Sequence, residues 1–148
     1  MALKHTSNER LIKSKERVRD RGEVFTPSHI VKDMCDLIPC DIWQNISSTF
    51  LEPACGNGNF LVEILSRKLT LCQTEEDALA ACGSIFGVDI AQDNVDEAIG
   101  RCVQLVQDKF PGVDCTPIFK RNIVCGDFLH PEGIWFMEDC LWAFQTSR

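Results

Sequence analysis

The chain has 148 residues, 45% of them hydrophobic, and a formal net charge of −7. That allows one globular domain with a modest core and argues against a large nucleic-acid footprint on its body. No apolar run is long enough to cross a membrane, and no secretory signal opens the chain. The nine cysteines are scattered without a Cys-x-x-Cys pair. They argue against zinc and for small buried hydrophobes in a reducing cytosol, so a cytoplasmic location without a membrane partner is expected.

Residues 1–21 carry seven Lys/Arg against three acids, net +4, and the remainder holds eight basic against nineteen acidic residues. Within this arm, 8–21 is polar with Leu11, Ile12 and Val18 as apolar points. It reads as a basic helix that docks on the domain and is ended by Gly22. Such an arm either touches phosphates or presents a solvated face. The domain proper is then 22–148.

Thr26 followed by Pro27 reads as a hydroxyl cap and a proline at the first helical position. Ile30, Val31, Met34, Leu37 and Ile38 recur at helical spacing until Pro39 closes the helix. Residues 47–52 form a short apolar strand ending in an acid. A tight turn with Gly56 and Gly58 follows, and then a helix over 59–69 with Phe60, Leu61, Ile64, Leu65 and Leu69 facing the sheet. Thr74, with Glu75, Glu76 and Asp77 behind it, caps a second short helix that runs to Ala81. Residues 84–90 are a second strand, ending at Asp89. A helix starting at Asp93 or Asn94 puts Val95, Ala98, Ile99, Cys102, Val103 and Val106 on one face and breaks at Pro111-Gly112. Ile118-Phe119 and Asn122-Ile123-Val124-Cys125 read as a third strand in two parts, ending at Gly126-Asp127-Phe128. Short apolar strands alternating with helices predict an α/β fold with a parallel sheet.

Ligands of open parallel sheets bind beyond the carboxyl ends of the strands. Glu52, Asp89 and Asp127 each follow a predicted strand. One such acid is as often a helix cap as a ligand, but three in series with a glycine turn point to a shared cofactor cleft. An adenosyl cofactor explains each choice. Asp89 would accept the ribose hydroxyls, and Ile90 would cover one face of adenine. Asp127 would accept from adenine's exocyclic amine, Phe128 would stack on the ring, and the backbone from Gly56 to Asn59 would hold a carboxylate. NAD(P) is the competing cofactor. Its fingerprint wants a third glycine where Leu61 stands.

Four stretches carry a resemblance: Phe25-Thr26-Pro27, then Glu52-Pro53-Ala54-Cys55-Gly56-Asn57-Gly58-Asn59-Phe60, then Asp89-Ile90, then Asp127-Phe128. In content and order they resemble the cofactor motifs of adenine-specific DNA methyltransferases of restriction–modification systems, of the gamma type that includes type I modification subunits. The resemblance covers about residues 15–130. It implies the N-terminal half of a Rossmann-like methyltransferase fold with a helical extension, and S-adenosylmethionine held by those four stretches.

The family's next motif, Asp/Asn-Pro-Pro-Tyr/Phe, activates the adenine amine and stacks on the extruded base. No Pro-Pro occurs in this chain. Trp142 and Phe144, with Trp135 and Phe136, read as core. The expected protein is therefore a cofactor-binding portion that is inactive alone and meets DNA through regions it lacks or through a complementing methyltransferase or specificity subunit. The alternative is a non-catalytic cofactor- or partner-binding module. A first strand suited to the sheet centre would leave an apolar edge. That edge is expected to drive self-association or to be covered by residues 134–144, in the second case as an improvised fourth strand.

Overall fold

The computed structural model describes residues 9–138. The elements are α1 Lys15–Arg21, α2 Ser28–Asp36, α3 Cys40–Gln44, β1 Phe50–Glu52, α4 Asn59–Leu71, α5 Glu75–Gly83, β2 Ile85–Asp89, α6 Gln92–Lys109, α7 Thr116–Asn122 and β3 Ile123–Cys125. The three strands make a parallel sheet in the order β1-β2-β3. Glu52 pairs with Gly87, and Asp89 pairs with Cys125. Asp89 thus projects two residues beyond the end of β1. No helix among the described residues is long and apolar enough to cross a membrane.

The principal core fills one face of the sheet. Leu61, Ile64, Leu65 and Leu69 of α4 meet Val95, Ala98, Cys102 and Val106 of α6, with Ile85, Phe119 and Ile123 beneath. These are the spacings that the sequence marks as apolar faces, and burying them is what stabilises helices of this length. Thr74 and Asp77 form a reciprocal capping box on α5, as the sequence signals. The eight cysteines among the described residues are all free, and six of them are buried.

Four expectations are corrected. The arm is helical only from Lys15, with the Ser14 hydroxyl accepting from the Arg17 N–H at 3.1 Å. Before it the chain is not helical: Arg10 takes the carbonyls of Ile12 and Lys13, and the Leu11 carbonyl accepts from the Phe25 N–H. Thr26 does not cap α2. Pro27 is itself the capping residue, extended at φ −59° and ψ 147°, and no side chain of its own element caps the helix. The Glu9 carboxylate instead accepts from the Ser28 N–H at 3.1 Å.

Residues 116–122 are helix α7 and not the first part of a strand. Pro117 sits in its first turn and the Asp114 carboxylate accepts from the Thr116 N–H, so local start signals outweigh the β-prone Ile118-Phe119 pair. Finally, no fourth strand forms among the described residues. Residues 135–138 make one helical turn that lies on the second face of the sheet. There Ile134 and Met137 pack with Val88, the Phe136 ring stands 5.1 Å from that of Phe86, and the Trp135 indole donates to the Arg121 carbonyl. The outer edge of β1 has no partner strand among the described residues, and its Leu51 is 40% exposed. Residues 139–144 lie outside the described part.

Candidate functional site

The turn after β1 is pinned from four sides. The Cys55 N–H bonds the Val88 carbonyl at 2.8 Å, which ties the turn to β2. Gly56 and Gly58 have φ of 53° and 97°, a region that only glycine enters without penalty. A Cβ on Gly56 would stand 3.0 Å from the Phe25 ring, and one on Gly58 would stand 2.9 Å from the Ala98 Cβ. From α6, Arg101 donates to the Asn57 carbonyl at 2.9 Å and to Asn59 Oδ1 at 2.8 Å. Asn59 Nδ2 in turn donates to the Thr26 carbonyl at 2.8 Å. Phe25-Thr26 and the glycine turn are therefore one packed unit, although 33 residues of sequence separate Thr26 from Asn59.

Asp89 closes the unit. Its Oδ1 accepts from the Gly56 N–H at 3.0 Å, and its Oδ2 accepts from the Ala91 N–H at 3.0 Å and from Asn94 Nδ2 at 2.9 Å. Asn94 donates at the same distance to Glu23 Oε2. Glu23 is ion-paired with Arg17 at 2.7 Å, and Arg17 reaches Asp93 at 2.6 Å. Hydrogen bonds from Arg17 and Lys13 hold the Asp93 carboxyl well below the usual carboxylate range. At the end of β1 the effect is opposite, and burial pushes the Glu52 carboxyl up.

These groups surround a cavity of about 320 Å³. Of the residues expected to bind cofactor, Phe25, Thr26, Glu52, Ala54, Cys55, Gly56, Asn57, Asn59, Phe60, Asp89 and Ile90 line it. Pro27, Pro53, Gly58, Asp127 and Phe128 do not. Gly58 is spent on close packing against α6. Asp127 is exposed and folds into its own turn, accepting from the Leu129 N–H and approaching His130 Nδ1 at 3.4 Å. Phe128 packs toward Val88, Ile134 and Met137. Their turn still abuts Asp89, whose carbonyl accepts from the Gly126 N–H at 2.9 Å.

Of the turn's N–H groups, those of Ala54, Cys55, Gly56 and Gly58 bond protein acceptors, whereas those of Asn57 and Asn59 have no protein acceptor among the described residues, so these two are what the stretch from Gly56 to Asn59 offers a carboxylate. Glu23, Glu52 and Asp89 give the cavity an acidic lining, and Arg21 is the only cation lining it among the described residues. A lining of this kind suits a ligand that offers hydroxyl, amine or cationic groups. Sequence reading passed over Arg17, Glu23, Asn94 and Arg101, whose partners lie far away in the chain and leave no local pattern.

The chain matches the family model described as N-6 DNA Methylase over residues 9–98. It is 29% identical over 107 residues to the type II methyltransferase M.VspI of Vibrio sp. (strain 343), an alignment that covers 72% of this chain and 22% of that protein. It is 33% identical over 72 residues to the type II restriction enzyme and methyltransferase RM.BcgI of Heyndrickxia coagulans, covering 48% of this chain and 11% of that protein. The chain thus spans less than a quarter of either relative. No solved structure matches it.

Proposed function

Because the chain belongs to the N-6 DNA methylase family, whose model takes in more than half of its residues, we propose that it is the S-adenosylmethionine-binding portion of a DNA adenine amino-group methyltransferase of a restriction–modification system. The supporting observation is the convergence of Phe25-Thr26, the glycine turn and Asp89-Ile90 on one cavity of about 320 Å³. A carboxylate offers about four acceptor directions. Three on Asp89 are taken by protein donors, which leaves one on Oδ1 for a ribose hydroxyl. Ile90 is 60% exposed and lines the cavity, so its side chain is available to cover an adenine face. Glu52 favours the ammonium and sulfonium end, and Arg21, on the cavity wall, is the cation that can meet the carboxylate. Asp127 and Phe128 reach adenine only from outside the cavity as it stands.

Bound S-adenosylmethionine supplies the electrophilic methyl group. Acceptors that localise the lone pair of the adenine amine, and surfaces that read DNA, are contributed by chain or a subunit beyond these residues, since the sequence holds no Pro-Pro. Calorimetry with S-adenosylmethionine tests the reading. The wild type should bind, and Asp89→Ala should lose about 1–3 kcal/mol of affinity. A wild type that takes up no cofactor would refute it.

A further inference from the structure

Asn94 is fully buried in the first turn of α6, and its side chain lies between two carboxylates. One Nδ2 hydrogen goes to Asp89 Oδ2 and the other to Glu23 Oε2, both at 2.9 Å. Its Oδ1 is buried without a partner. A primary amide caught between two carboxylates must present its nitrogen to both, because an oxygen facing either one would be repelled. Leaving a buried carbonyl unpaired is costly, so this orientation is enforced from outside the residue. Asp89 belongs to the sheet, whereas Glu23 comes from the N-terminal segment, 71 residues before Asn94. Arg17 steadies Glu23 and is itself bound to Asp93 on the same turn of α6.

We propose that Glu23 and Asn94 are positioning residues for Asp89. The charge on Glu23 fixes the Asn94 amide, the amide fixes Asp89 Oδ2, and the remaining acceptor direction of Asp89 Oδ1 is thereby aimed at the ribose hydroxyls of the cofactor. The inference rests on the S-adenosylmethionine reading above. It makes the N-terminal segment part of the cofactor site through a polar contact as well as through its wall of the cavity. If Glu23 becomes an amide, Asn94 regains a neighbour that can donate. Asp89 then holds the Asn94 nitrogen alone, against a competing pull of residue 23 on the Asn94 oxygen, and its Oδ2 is less firmly fixed.

The test is a double-mutant cycle read by calorimetry, with S-adenosylmethionine as the probe and thermal melts as the check on folding. Glu23→Gln should weaken binding about tenfold. In an Asp89→Asn background the same change should cost nothing further, because the group it acts through is already altered. A purely structural role for Glu23 would weaken binding by the same factor in both backgrounds, and that result overturns the proposal. So does wild-type affinity in Glu23→Gln. If Glu23→Gln fails to fold, Asn94→Ala, which leaves the Arg17–Glu23 ion pair whole, takes its place with the same expectations. Failure of the wild type to bind at all instead removes the cofactor reading, and this inference with it.

Discussion

Gly58→Ala isolates how the glycine turn is held against α6. Gly58 sits at φ 97°, and an added Cβ would come within 2.9 Å of the Ala98 Cβ and 3.0 Å of its Cα. The backbone conformation alone costs an L-residue about 1–2 kcal/mol. The Cα of Ala98 belongs to a buried helix and cannot swing aside as a side-chain tip would, so the overlap adds about 1–3 kcal/mol. The expected loss is therefore about 2–5 kcal/mol. At a typical urea m-value of about 2 kcal/mol/M, the unfolding midpoint falls by about 1–2.5 M. Gly22→Ala is the control, because Gly22 has φ 63° with nothing within 4 Å of the added carbon. It should lose only the conformational part. The two variants should differ by the packing contribution, with m unchanged. Equal losses would refute the reasoning, because they would mean that α6 does not press on the turn and that Gly58 is required for its backbone angle alone.

Alkaline pH should destabilise the fold sharply. Burial raises the thiols of Cys35, Cys55, Cys72, Cys82, Cys102 and Cys115 above their ordinary 9.0, Cys102 to about 12. Above pH 9 the unfolded chain releases these protons before the folded one does, so stability falls, by at most about 1.4 kcal/mol per pH unit for each thiol and only until its folded-state pKa is reached. Melting curves from pH 7 to 10 should decline steeply at the top of the range, and a flat profile would contradict the burial of these groups. Lys68 works in the opposite direction. Burial pushes its ammonium down to about 8, so between that value and 10.5 the unfolded chain holds a proton that the folded one has lost, and stability rises. One lysine against six thiols softens the decline without reversing it. Lys68→Met strips the ammonium donor from the Ser48 carbonyl, held at 2.6 Å, and from the Ile46 carbonyl, held at 2.7 Å, leaving Ile46 only the Ser84 hydroxyl at 3.3 Å as a side-chain donor. It should cost about 1–3 kcal/mol in urea denaturation at neutral pH, and no loss there would mean that these carbonyls find other partners.

Much of this protein is written in short-range sequence. The α4 and α6 faces are legible because apolar residues return at helical spacing. The α5 cap is legible because Thr74 and Asp77 satisfy each other within one turn. The glycine turn is legible because few sequences place two glycines between an acid-ended strand and an amphipathic helix. The structure brings Glu52 and Asp89 to one cavity, as parallel strands with adjacent carboxyl ends should. Where local signals conflict, short-range reading fails. Ile118-Phe119 favours a strand by composition, yet Pro117, the Asp114 cap and burial of Phe119 against the helices decide for α7.

Tertiary structure alone decided the polar wiring of the site. Whether Asp89 has acceptor capacity left for a ligand depends on Gly56 and Asn94. Whether Asn94 can donate to it depends on Glu23, and Glu23 is steadied by Arg17. Spacing announces none of these pairings. Backbone propensity acts over a few residues, whereas a hydrogen bond between side chains 71 positions apart exists only after the sheet and helices have brought them together.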